Sequence, residues 1–558
     1  MHWADGIAKA LSHRKALSHR CDKHVIASGI TPSGEFHIGH LREILTSDII
    51  KRACENEDFE AEFVFFVDDA DPLRKVYSFL DDSYEQYIGH QLANIPPPDE
   101  EGVPDLGRFE QGISYAKHFL EPFKKSLGIL GVEIDEYIYN YDAYKSGKFA
   151  EVSRIACNRA DEIREIIERV SGRELDENWF PWNPIDTNGC MDGITVTGWD
   201  DPLVHWVDSE GNTGQSDVTK GEGKLPWRID WPAKWAWRGV TMEPFGKDHG
   251  AAGGSYDTGK EIVRLFDIGP PYPTTYEWIS LKGAGAMSSS TGVTIGPMEA
   301  LQLVPPQIMR YLIARNQPKR HIEFDTGAAL IELADEYQKI MKDVYSPFDE
   351  GNLSRRQQVA RKKHVAQIMY SQVRSLGPGM VDTPESYLGR MDRDGREIGP
   401  VTFRHLAMLS QIRSDDENVW SSLRRSGHIE DGPSDDLRNR LKLMRNWTSS
   451  THFPDGFRLE IQSGIGEQAK AHIDIRDVGY LVSLWDRLAE CDWTGQEINS
   501  IICDEAKQRE ISLRDAFQTL YWIVLNQDFG PKLANILAEM DRQAVQDLLQ
   551  LAIDELSS

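Results

Sequence analysis

The chain has 558 residues, enough for several domains and an ample core. Its 62 Lys and Arg against 89 Asp and Glu give a formal net charge of −27, a bulk field that repels phosphate, so an RNA partner would have to meet a local basic patch. Six scattered cysteines form no CxxC pair, the N-terminus lacks a leader's apolar core and no apolar run reaches membrane-span length; the expectation is a reduced, soluble, cytoplasmic protein without membrane contact.

The tandem hexamer KALSHRKALSHR, Lys9 to Arg20, predicts a lengthened N-terminal helix. HVIASG (24–29) reads as a buried strand, the helical spacing of Phe36–Glu55 follows, and AEFVFFVDD (61–69) is a second apolar strand. Strand, crossover helix and strand predict a parallel sheet. Residues 71–112, rich in Pro, Asp and Tyr, read as insertion or loop; helical patterns resume over 113–131 and 149–170. From Trp179 to Gly223 short runs such as GITVTGW and PLVHWV predict a small β-rich insertion. Strand-and-helix material returns with EPFGKDHGAAGGSYDTGKEIVRLF and continues to about Ile295; beyond Glu323 the pattern is helical. The expected organisation is therefore an α/β, Rossmann-like nucleotide-binding domain (1–178 and 224–325), interrupted by the β-rich insertion (179–223) and followed by an all-α region (326–558).

The stretch SGITPSGEFHIGHLREIL, Ser28 to Leu45, carries the most chemistry. A loop of Gly29, Thr31, Pro32, Ser33 and Gly34 between a strand end and a helix N-terminus presents backbone N–H groups and a positive dipole end, which suit phosphate. His37 and His40, three apart, share one face of the first turns and can donate to one triphosphate as its charge grows. Gly39 leaves room for base or ribose. An ordinary strand–helix turn with two surface histidines would give part of this pattern; the full arrangement points to phosphate chemistry.

In this order, MHWADGIA, SGITPSG with HIGH, VDDADPLRKV, LPWRIDWPAKW, EPFGKDH, GGSYDTGKEI and GAMSSSTGVTI resemble class I lysyl-tRNA synthetase over about residues 1–330. The resemblance implies a lysine–tRNA ligase that uses ATP with Mg²⁺, activates lysine as its adenylate and transfers it to tRNA(Lys). It assigns Gly29, Thr31, Trp227, His249 and Tyr276 to the lysine pocket. ATP falls to Pro32, Gly34, His37, Gly39, His40 and Asp248, the last on the ribose hydroxyls, with Met287, Ser288, Ser289 and Ser290. Catalysis falls to His37, His40 and the three serines. Asp69 and Asp71 are candidate partners for the ε-ammonium. Flat aromatic walls suit four methylenes ending in an ammonium.

MSSSTG (287–292) stands where class I enzymes carry the KMSKS loop, yet the lysine positions hold Ala286, Ser289 and Thr291; the hydroxyls remain and the charges do not. Losing such a cation typically costs about 10² to 10³ in rate, so a reduced but real adenylation is expected. In the insertion, where the family often holds zinc, only Cys190 and His205 stand, and no structural zinc is predicted. GSYDTGKE lacks the Ser or Thr after Lys260 that a P-loop needs, and reads better as a glycine-rich turn opening a helix. Trp227, Trp231 and Trp235, spaced i, i+4, i+8, suit a helix face in the core, an interior that Pro232 would disrupt unless the helix starts there.

The basic clusters Arg355, Arg356, Arg361, Lys362, Lys363 and His364, Arg424 with Arg425, and Arg438, Arg440, Lys442 and Arg445 beside Trp447 suit tRNA contact, or equally a solvated helix face. A monomer is expected. Two other readings stay open at this level: an adenylating paralogue with a non-tRNA acceptor, and a tRNA-binding protein with little activity.

Overall fold

The computed structural model describes residues 2–17, 23–282, 285–286, 295–347, 353–374, 387–391, 395, 397–473 and 478–557, without the side chains of 14–17 and 285–286. The N-terminal helix α1 spans Trp3–Leu17; the remainder of the duplicated hexamer lies outside the described residues. Next come β1 (His24–Ile30), α2 (Leu41–Asn56), β2 (Ala61–Val67), α3 (Tyr115–Ile129) and β3 (Glu136–Tyr139). After the insertion follow α4 (Trp227–Arg238), β4 (Met242–Gly246), α5 (Ser255–Ile262) and β5 (Tyr272–Tyr276).

These five strands form one all-parallel sheet in the order β5-β4-β1-β2-β3. The long apolar runs of β1 and β2 are explained by cover on both faces. Val25, Ala27, Val64 and Phe66 pack with Trp235 of α4 and Val263 on one face. By strand alternation Ile26 and Ser28 point to the other, where the Ser28 hydroxyl meets Glu43 of α2. Gly259 of α5 lies against Trp235, where a Cβ would come within 3.0 Å of the indole, so glycine permits the close approach of α5 to α4. The strand order reverses between β1 and β4, and in open α/β sheets ligands bind at the carboxyl ends of the strands at such a switch point.

Three local features differ from the sequence expectation. The helix expected from Phe36 begins at Leu41, preceded by a 3₁₀ turn, Ile38–His40, because the histidine rings capture backbone N–H groups there. The pattern over 149–170 forms two helices, Ala150–Asn158 and Ala160–Ser171, broken at Arg159. Pro232 lies inside α4, which starts five residues earlier at Trp227. Its ring removes one backbone bond near the N-terminal turn, and burial of Pro232, Ala233 and Trp235 outweighs that loss.

The β-rich insertion is a three-stranded antiparallel sheet, Thr195–Asp200, Leu203–Val207 and Thr213–Asp217, beside a short pair, Asn183–Pro184 with Gly223–Lys224. The Cys190 thiol donates to the Ile88 carbonyl, and His205 pairs with Asp200 at 2.9 Å, so the two sit in separate local networks. Among the described residues no group of three His, Cys, Asp or Glu side chains is arranged to hold a metal, and no helix is long and apolar enough to cross a membrane.

The described residues form two compact units. The first comprises 1–301, 306–324 and 353–376; the second comprises 302–305, 325–352 and 377–558 and is almost entirely helical. The basic helix Arg355–Ser371, expected in the C-terminal helical region, packs in the first unit. Arg310, fully buried on Pro306–Ala314, donates to the Tyr370 carbonyl of that helix at 3.0 Å and pairs with buried Asp48 of α2 at 2.5 Å, with Arg52 on the same carboxylate at 2.9 Å. The guanidiniums outweigh burial and hold the Asp48 carboxyl below the usual range.

Candidate active site

β1 ends at Ile30, and the loop Thr31–His37 carries the chain to the 3₁₀ turn. Pro32 and Gly34 are buried, and the Tyr115 hydroxyl fixes the loop by donating to the Ser33 carbonyl at 2.8 Å. His37 Nδ1 accepts the Gly39 N–H, and His40 Nδ1 accepts the His37 N–H, both at 3.1 Å. The first bond leaves the ring proton of His37 on Nε2, while His40 Nδ1 also lies 3.2 Å from the His37 carbonyl. The rings lie 4.0 Å apart between centroids. Burial pushes His37 down to about 4, and burial together with the neighbouring His37 pushes His40 down to about 3. At neutral pH the pair therefore offers two uncharged N–H donors.

Beside this turn, at the C-terminal ends of β1 and β4, opens a cavity of about 340 Å³. Gly29, Thr31, Trp227, His249 and Tyr276 all line it, as the sequence expectation requires of one pocket. Trp227, the first residue of α4, and Trp231, one turn on, each stand 5.7 Å from the His249 ring. His249 Nδ1 is held by the Ser255 hydroxyl at 3.3 Å, and burial lowers its pKa. Asp248 is exposed in the turn after β4 and is not part of the cavity wall. Met287, Ser288, Ser289 and Ser290 lie outside the described residues.

The polar lining divides into paired and unpaired charges. Lys234 of α4 bridges Asp68 and Asp230, at 2.7 Å from the latter, while the Tyr144 hydroxyl donates to Asp230 at 2.6 Å and Asn140 to Asp68 at 2.7 Å. Although burial opposes its charge, the two carboxylates hold the Lys234 ammonium firmly protonated. Asp71 is ion-paired to buried Lys224 and accepts the Thr31 hydroxyl at 2.9 Å; Lys224 prevails over burial and keeps its pKa low. Asp69 instead accepts the Tyr141 N–H at 2.8 Å, and burial raises it to about 7. Asp71 is thus committed to this chain's own cation, and Asp69 does not line the cavity.

Glu43 and Glu243 remain. Glu43, at the first turn of α2, accepts the Ser28 hydroxyl at 2.5 Å, the Gly29 N–H at 3.2 Å and the Tyr276 hydroxyl at 2.6 Å. Glu243 of β4 accepts the Trp235 indole N–H at 2.5 Å, and burial drives its pKa up to about 7. Burial also raises Glu43, and each of the two residues lines the cavity. Among the described residues, neither forms an ion pair with a Lys or Arg side chain. The lining thus carries two acidic side chains without a basic partner among the described residues. One lining cation, Arg74, is exposed and likewise has no acidic partner among the described residues.

Residues 1–372 match the family described as tRNA synthetases class I (K). The chain belongs to that family. It is 36% identical over 557 residues to a lysine–tRNA ligase of Archaeoglobus fulgidus, covering 99% of this chain and 100% of that one. A lysine–tRNA ligase of Picrophilus torridus is 34% identical over 548 residues, covering 98% of each chain. In this class I synthetase the cavity lies at the sheet's switch point, and neither His37 nor His40 is part of its lining. Glu43 and Glu243 were not anticipated from the sequence of this synthetase. Glu43 stands three residues after His40, one turn along the same helix face, and that spacing was the available signal.

Proposed function

We propose that this class I synthetase is a lysine–tRNA ligase whose specificity rests on Glu43. Its carboxyl, fixed by Ser28, Gly29 and Tyr276, is desolvated and has no cation among the described residues. A lysine ε-ammonium supplies that cation, while Trp227, Trp231 and Tyr276 cover the methylenes. Thr31, oriented by Asp71, receives the α-amino end, with His249 at the rim.

The lysine carboxylate attacks the α-phosphorus of ATP in line, the bond to pyrophosphate breaks and lysyl-adenylate forms. A ribose hydroxyl of the terminal adenosine of tRNA(Lys) then attacks the acyl carbon and AMP leaves. His37 and His40 donate to phosphate oxygens through the transfer, and Mg²⁺ arrives with ATP as part of that substrate. Asp248 takes the ribose hydroxyls, and by the family resemblance the hydroxyls of Ser288, Ser289 and Ser290 serve the pyrophosphate. Because Ala286, Ser289 and Thr291 leave the loop 287–292 without its lysines, Arg74 provides a cation at the junction of amino acid and α-phosphate.

Total tRNA charged with each of the twenty amino acids tests this reading, together with amino-acid-dependent ATP–pyrophosphate exchange. Lysine alone should support both. Exchange with lysine but no transfer to tRNA would replace it with a ligase using another acceptor, and selective activation of another amino acid would end it.

A further inference from the structure

The helix Arg355–Ser371 sets one strongly positive surface on a chain of net charge −27. From Gly351 to Val381 the sequence contains no Asp or Glu. At 3.6 residues per turn, Arg355, Arg356, Val359, Lys362 and Lys363 (i, i+1, i+4, i+7, i+8) fall on one face, and all five are exposed. No carboxylate lies within ion-pair distance of Arg355, Arg356, Lys362 or Lys363 among the described residues. The C-terminal half of the same helix is buried in the first unit through Ala366, Ile368 and Tyr370, with the Tyr370 hydroxyl donating to Asp5 at 2.6 Å and its carbonyl receiving Arg310. The basic face is therefore carried by a helix anchored to the unit that contains the active site.

We infer that this face binds the phosphodiester backbone of tRNA as a sequence-independent contact of the synthetic unit. The inference rests on the lysine–tRNA ligase reading for its choice of partner. Charge complementarity decides for a polyanion: four cations span ~12 Å of helix axis, enough to meet several phosphates of one strand. The face carries no Trp, Phe or Leu, only Val359, so it lacks the apolar stripe with which a helix seats in a lipid surface. Gln357 caps the helix with Ser354 and contributes no charge of its own.

The test replaces the four cations in the full-length protein (R355A/R356A/K362A/K363A) and compares three quantities with the wild type. Lysine-dependent pyrophosphate exchange should stay within about twofold, because no residue of the face lines the cavity. The KM for tRNA should rise about tenfold or more, and the slope of log affinity against log salt should flatten by about 2 to 4, roughly 0.7–0.9 for each phosphate that is no longer neutralised. The pairs R355A/R356A and K362A/K363A should each show about half the change in slope, which keeps the inference testable if the quadruple variant folds poorly. An unchanged tRNA KM and salt slope, in the quadruple variant or in both pairs, would overturn it, as would loss of binding to anionic phosphatidylserine vesicles with tRNA charging intact. A wild type that fails to exchange or to charge tRNA would instead refute the ligase reading, so the two failures are distinct.

Discussion

Three local donors orient the Glu43 carboxyl, and burial raises its pKa, so an ammonium bound there would stabilise its charged form. Replacing Glu43 by Gln keeps the shape and the Tyr276 and Ser28 contacts while removing the attraction for an ammonium. Loss of one partner from a buried charge pair costs about 2–5 kcal/mol. E43Q should raise the lysine KM by two to three orders of magnitude in pyrophosphate exchange, with little change in the KM for ATP. Glu243 adds a pH dependence. Burial raises its pKa to about 7, so acidification through that value neutralises one of the two carboxylates that attract lysine. The lysine KM should therefore rise, by up to about tenfold, as pH falls from 8 to 6, and E243Q should flatten that rise. The histidines contribute no inflection in this range, since burial holds both at about 4 and below. At this scale Gly29, Thr31, Trp227, His249 and Tyr276 were legible as one pocket because the resemblance to class I lysyl-tRNA synthetase assigns all five to it, and all five line the same cavity. Glu43 was not, since an acid on an amphipathic helix looks like any solvated charge until its neighbours in space are known. The partners of Asp69 and Asp71, Tyr141 and Lys224, were hidden for the same reason, since both lie far away in sequence.

Among the elements, α2 carries the heaviest electrostatic demand. Arg42, Asp48, Lys51 and Arg52 are all buried on it, and Asp48 depends on Arg310 from Pro306–Ala314. R310A would leave buried Asp48 with Arg52 as its one guanidinium partner and the Tyr370 and Leu130 carbonyls without that donor. A loss of about 3–5 kcal/mol is expected, read as a lower thermal midpoint and less denaturant needed to unfold. R310M, which fills the space, should still lower stability, because Asp48 keeps only Arg52. β1, α2 and β2 were legible because unbroken apolar strands flanking a helical period admit few alternatives. The 3₁₀ turn at Ile38–His40 was not, because a helix-like spacing does not reveal that side-chain rings will compete for the first backbone donors. Pro232 inside α4 shows the limit of local rules as well, for packing overrode the break that proline favours.

Over the whole molecule, charge is unevenly spent: a strongly acidic chain keeps an acid-free stretch around one anchored helix. Every described residue of the candidate site belongs to the first unit. Removing residues 377–558 should therefore abolish tRNA charging while leaving measurable lysine-dependent exchange; loss of both would show that adenylation needs the second unit. The helical character of the C-terminal region could be read from its periodicity, but period reports type and not neighbours, so the sequence held no sign that 353–376 would join the first unit. The imidazole pair has one more consequence. Imidazoles whose basicity is too low to pick up a second proton near neutrality come out of each turnover as they entered it. Pyrophosphorolysis, which rebuilds ATP from the adenylate, therefore meets the same prepared cleft, and neither direction has to wait for solvent to reset it.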